Sequence, residues 1–184
     1  MSSNDSKSIL DSLLRTAQDG WGISQDQIME NMEKIAFHES KGIADAIQQS
    51  DKTESGIGPG RGLFQFEVGK GQGAHTAINR LIKQLGYTPD FLEGIEDKGY
   101  DVSGLSPEQQ QALFLGNLLR MPHKEEGEGY GKAGFYDTDD DDMFSDDELA
   151  QYWAQYHHAG TKPGTDEYKA MIDKFTKDVQ YYNK

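Results

Sequence analysis

The chain has 184 residues, 18 Lys and Arg against 32 Asp and Glu, and a formal net charge of −14. That length fits one domain of ordinary size with at most a short appendage, and the acidity disfavours binding to nucleic acid or to an anionic membrane surface. The 35% hydrophobic residues and 21 glycines suit a packed core, and the absence of cysteine excludes disulfides, thiolate metal sites, iron–sulfur clusters and cysteine nucleophiles.

The opening residues, Met1 to Leu10, carry no apolar run of signal-peptide length. No stretch approaches the roughly 18 apolar residues of a membrane span. The expectation is a chain without a standard export signal and without a membrane span.

Ile9, Leu10, Leu13, Leu14 and Ala17 fall at helical spacing and predict an amphipathic helix within 1–20, stopped at Gly20. Its charges are sparse and mixed, unlike a basic membrane-surface helix. Residues 21–184 form the main domain. Ser24 and Gln27 pair as a capping box that opens a second helix through about Ser40. Residues 50–73 are glycine-rich and read as a long irregular stretch around one apolar island, Leu63 to Phe66, too short to establish a strand.

A third helix covers 74–85 and closes at Gly86; Pro89 opens a short one through Ile95. Ser106, Pro107 and Gln109 supply an N-cap, a first-turn proline and a capping glutamine for a helix to about Arg120. Residues 122–144 are polar and acidic and read as a loop or lid. Ser145 and Glu148 cap a helix to about His158, and Thr165 caps a last one over 166–182, with Met171, Ile172, Phe175 and Val179 inward. Six or seven helices with long loops and almost no strand make a mainly α domain.

One carboxylate breaks the pattern. Ile28, Met32 and Ile35 make the buried stripe of the second helix, and the next residue on that stripe is Glu39. A carboxyl on an apolar face, at the negative end of a helix, has its ionised form disfavoured twice over. A carboxyl protonated near neutral pH is what a general acid requires. The competing reading is that Glu39, in the last turn, swings into solvent or pairs with Lys41.

Glu39-Ser40 is followed by Gly62-Leu63-Phe64-Gln65 and then by Tyr152 to Gly160, Y-W-A-Q-Y-H-H-A-G. This trio, in this order, resembles the lysozyme-like lytic transglycosylases that cut peptidoglycan. That family carries Glu-Ser at a helix end, a Gly-Leu-Met-Gln-like segment, and a helix ending in Ala-Tyr-Asn-Ala-Gly. The first motif matches fully. In the second, Phe64 replaces Met. The third matches only at Ala159-Gly160, with His157-His158 for the aromatic–Asn pair unless Tyr156 takes the Tyr role through a one-residue shift.

The resemblance covers about residues 25–162 and implies a lysozyme-like α fold with the cleft at the end of the Glu39 helix. It implies peptidoglycan glycan strands as substrate, cleaved between N-acetylmuramic acid and N-acetylglucosamine by Glu39 as acid and then base, with no cofactor required. It implies that Ser40 orients Glu39 or an N-acetyl group, that Gln65 hydrogen-bonds the sugar, and that Phe64 walls the cleft. Gly62, Tyr156, His157 and His158 join them as substrate-binding candidates. Two alternatives stand beside it: a catalytically inactive structural or interaction protein on the same fold, favoured by His157-His158, and a hydrolytic lysozyme with Glu67 or Glu54 as second carboxylate. A small acidic chain without an export signal is expected to be a virion-associated phage protein with other virion proteins as partners.

Two metal readings arise. H-E-x-x-H would need His at position 42, which is Gly, and is rejected. The acidic run fits a calcium loop with Asp137, Asp139, Asp141, Ser145 and Glu148 as ligands, although its sixth position is Asp142 rather than Gly. Ser145 and Glu148 are equally explained as the capping pair.

Overall fold

The computed structural model describes residues 3–120, 135, 144–156 and 163–184. Among these the chain is mainly helical: α1 (Ser3–Trp21), α2 (Gln25–Ser40), α3 (Gly73–Leu85), α4 (Pro107–Leu119), α5 (Asp146–Tyr156) and α6 (Asp166–Tyr182), with a 3-10 turn at Asp90–Leu92. A small antiparallel sheet, in the order β1 (Ile47–Gln49), β2 (Ile57–Arg61), β3 (Phe66–Glu67), is inserted between α2 and α3.

α1 outruns its expected stop. Gly20 stays helical, and Gly22 makes the left-handed turn at φ 78° while its N–H donates to Gln18 O at 2.9 Å. The second glycine ends the helix because it alone takes positive φ. Ile9, Leu10, Leu13, Leu14 and Ala17 are all buried in the same core as the other helices, against α4. α1 therefore packs on the domain.

The sheet corrects the reading of 50–73 as irregular. β2 is Ile-Gly-Pro-Gly-Arg, which has no alternating apolar side chains and so no strand signal. Its register shifts opposite Gln48, so that Pro59, which lacks an N–H, falls at the irregularity. The side chains of Gln48 and Gln65 fill the room left by Gly58 and Gly60. Leu63, Phe64 and Gln65 of the apolar island form a turn, and only its end, Phe66, enters β3.

The helix expected from Pro89 to Ile95 shrinks to the single 3-10 turn, with Pro89 as its N-cap and Gly94 at φ 70° behind it. Ser106 and Gln109 form the full reciprocal cap of α4. The α2 box is half formed: Ser24 accepts from Gln27 N–H, but the Gln27 amide donates to Phe144 O at 3.0 Å. On α6, Phe175 and Val179 are buried with Tyr168, while Met171 and Ile172 are only partly covered.

Two phenylalanines from the acidic stretch belong to the core. Phe135 is fully buried, with its ring 5.3 Å from Trp21, 5.4 Å from Phe144 and 5.1 Å from Tyr152.

Candidate active site

The α2 stripe behaves as its spacing requires: Ile28, Met32 and Ile35 are each 0% exposed. Glu39 continues it into the junction of α2, α5 and α6 and is half-buried. It neither swings out nor pairs with Lys41. Its Oε1 accepts a 2.6 Å hydrogen bond from the Trp153 indole N–H of α5. Its Oε2 has no hydrogen-bond partner among the described residues. Burial pushes the Glu39 pKa up, while the Trp153 donor and the positive charge of Lys174 on α6 work against that rise.

Rings of three helices pack together at Trp153, which holds this carboxyl. His38 meets Trp153 edge-on at 4.4 Å between centroids and lies 5.0 Å from Phe175; Trp153 and Phe175 are 5.2 Å apart. The His38 side chain is 4% exposed, with Nδ1 2.8 Å from Asp178 Oδ2, a close approach that lacks the alignment of a hydrogen bond. Burial outweighs Asp178 and lowers the His38 pKa to about 4, so the imidazole is neutral at physiological pH. The other Asp178 oxygen lies 3.1 Å from Lys41 Nζ.

Immediately after Ser40 the chain reverses. Lys41 and Gly42 take φ of 58° and 76°, and their N–H groups donate to Phe37 O and Ala36 O. Gln65, at φ 48°, is a second non-glycine residue in the left-handed region. Such strain is kept where surrounding structure imposes it; Lys41 follows the first motif segment, Gln65 ends the second, and Tyr100, at φ 64°, lies in neither.

Gln110 of α4 ties those segments together. This fully buried amide accepts from Leu63 N–H at 2.7 Å and donates to Ala44 O at 2.8 Å and Leu105 O at 2.9 Å. Gly62 N–H donates to Ala46 O at 2.8 Å. Gly62 is required twice: its φ is 75°, and a Cβ there would run into the Gln110 amide. Replacing Gln110 with Leu is expected to orphan the Leu63 N–H and the carbonyls of Ala44 and Leu105, at about 1–3 kcal/mol for each group kept from water. Chemical denaturation of Gln110→Leu checks this.

Several residues do something other than the resemblance implies. The Ser40 hydroxyl donates to Ala36 O at 2.9 Å, within its own helix, so its proton is not aimed at Glu39. Phe64 is 3% exposed and stacks on Phe114 at 4.2 Å; it is a core group rather than a cleft wall. The Gln65 amide donates to Gly62 O at 2.8 Å and shapes its own loop, with the side chain partly exposed. Tyr156 is the last residue of α5, and its side chain is outside the description. His157 and His158 lie outside the described residues.

Ser145 and Glu148 are a working cap. Ser145 N–H donates to Glu148 Oε2 at 2.8 Å, and Glu148 N–H donates to Ser145 Oγ at 3.2 Å. Glu148 is 5% exposed. This use of the pair explains both residues without calcium; Asp137, Asp139 and Asp141 lie outside the described residues. No group of three or more His, Asp or Glu among the described residues converges to hold a metal. Ser145→Ala is expected to cost about 1 kcal/mol in calcium-free buffer. A wild-type melting temperature that rises with calcium, but less with magnesium, would restore the metal reading.

Sequence reasoning missed Trp153, His38, Asp178 and Lys174. Trp153 stood within the third motif segment, and a buried indole N–H needs an acceptor, which was the available signal. A cavity of about 620 Å³ between α1 and residues 87–93 is lined by Asp5, Tyr87, Phe91 and Glu93 among others and includes none of this site. Among the described residues no helix is long and apolar enough to cross a membrane. No family model, no curated protein and no solved structure matches the chain.

Proposed function

We propose that the protein is a peptidoglycan lytic transglycosylase on a lysozyme-like α domain, with Glu39 as its single acid–base group. The observation that carries this reading is the Glu39 carboxyl: half-buried at the end of α2, raised in pKa by burial, and gripped at one oxygen by Trp153, with no hydrogen-bond partner for the other among the described residues. Gln110 and Ala46 support it by joining the segment after Glu39 to the Gly62–Gln65 loop.

In this mechanism protonated Glu39 gives its proton to the glycosidic oxygen between N-acetylmuramic acid and N-acetylglucosamine, and the C1–O bond breaks. The muramic acid 6-hydroxyl oxygen then bonds to C1 and its proton passes to the Glu39 carboxylate. The products are a 1,6-anhydro end and a free 4-hydroxyl. No water is consumed, the carboxyl is regenerated, and no second carboxylate is needed, unlike the usual glycosidase pair.

Mass spectrometry of muropeptides after digestion tests the reading. Anhydro ends are expected. Reducing ends would assign a hydrolytic lysozyme instead, and intact glycan would assign an inactive structural protein. The placement in a phage virion, among other virion proteins, belongs to the same proposal.

A further inference from the structure

We propose that His38 and Asp178 are positioning residues for Glu39, acting through the indole of Trp153. The inference rests on Glu39 being the acid–base group, but its geometry is independent of which bond Glu39 cleaves.

Neighbours on a helix diverge by about 100°, so His38 does not share the face of Glu39. It reaches the same carboxyl indirectly. His38, Trp153 and Phe175 pack as three mutually touching rings, with centroids 4.4, 5.0 and 5.2 Å apart. His38 from α2 and Phe175 from α6 therefore both bear on the plane of the indole. That plane aims the N–H at Glu39 Oε1, 2.6 Å away. A hydrogen bond weakens steeply when its donor tilts, so rotating the ring loosens the carboxyl.

His38 has a close neighbour in turn. Asp178 sits one turn beyond Phe175 on α6, places Oδ2 2.8 Å from His38 Nδ1, and pairs through Oδ1 with Lys41. One α6 carboxylate thus holds α2 on both sides of Glu39, at 38 and at 41. Because His38 stays neutral down to about pH 4, this arrangement persists across the range in which a raised Glu39 titrates.

Among the described residues, the charged groups that face Glu39 and His38 are Lys174 and Asp178 from α6 and Lys41 from α2. The charged residues of α5 all lie in its first turn, away from Trp153. A pH-dependent change at the indole that Glu39→Gln removes therefore reports Glu39.

The experiment uses the full chain with labelled tryptophan. The chain has two Trp, and Trp153→Phe assigns the resonances. In the wild type the Trp153 indole N–H is expected to shift with one transition above the usual carboxylate range, and Glu39→Gln is expected to abolish it. His38→Leu and Asp178→Asn are expected to displace the resonance and change that transition. Both are expected to lower kcat on peptidoglycan with KM unchanged, by about 10–100-fold for His38→Leu, as small misplacements of a reacting group do, and by less for Asp178→Asn.

Asp178 is partly exposed, so its variant remains informative if His38→Leu does not fold. An indole resonance, titration and kcat unaltered in Asp178→Asn would overturn the proposal, as would a wild-type indole that ignores Glu39. A wild type that cleaves no peptidoglycan, yet shows the indole transition and its loss in the variants, overturns the transglycosylase reading and leaves the positioning of Glu39 standing.

Discussion

Replacing Glu39 with Gln is expected to abolish peptidoglycan cleavage while leaving the fold intact. The amide keeps the shape of the carboxyl, and its oxygen can still accept the Trp153 N–H. What it cannot do is give up and regain a proton. One positioned acid–base group is worth about 10²–10⁴-fold in rate. Glu39 serves both half-steps, so the loss belongs at the upper end. The same substitution replaces a group whose ionised form is disfavoured by burial.

The sign follows from linkage. A carboxyl with a raised native pKa adds stability only while protonated, and that contribution is lost as pH rises through the native value. At neutral pH the Gln variant is thus expected to melt at or above the wild-type temperature. A variant that still digests peptidoglycan at a comparable rate removes Glu39 from the mechanism. The wild-type alkaline limb of kcat/KM against pH is expected to lie above the usual carboxylate range, because the acid must be protonated to act.

The helices were legible because their signals are local. Ser106 with Gln109, Ser145 with Glu148, and Thr165 announce starts within four residues, and all three caps form. The Ile28–Met32–Ile35 stripe led directly to Glu39 because helical period carries burial information without knowledge of the rest of the fold. What failed was non-local. β2 is stabilised by its neighbours and by Gln48 and Gln65 lying over its glycines, none of which its own five residues encode.

Phe135 and Phe144 stand alone in an acidic stretch, so no periodicity marks them as core residues. The most consequential omission was Trp153. Its bond to Glu39 joins residues 114 apart, and no spacing rule reaches that far. The structure gives two residues of the resemblance's segments tasks other than those it implies. Ser40 and Phe64 satisfy the backbone of α2 and the core, needs that a motif comparison cannot see.

Deleting residues 1–19 is expected to unfold the domain rather than free it of an appendage. Ile9, Leu10, Leu13 and Leu14 are each 7% exposed or less, and the Gln109 amide on α4 donates to Ser6 Oγ at 3.2 Å. Burying four such aliphatic side chains is worth about 1.5–3 kcal/mol each, or roughly 6–12 kcal/mol together. A domain of this size has about 5–15 kcal/mol in all. The truncated chain would also expose the α4 face that α1 covers, and it would strip Trp21 of the helix that delivers it to Phe135. Circular dichroism of the truncated chain should therefore show no cooperative melting transition. Leu13→Ala, at 1% exposure in the middle of the stripe, is the graded version and is expected to cost about 2–5 kcal/mol. If the truncated protein instead melted at the temperature of the full chain, α1 would be a detachable arm whose apolar face belongs to a partner, and the packing of Leu13 against α4 would contribute nothing to the domain.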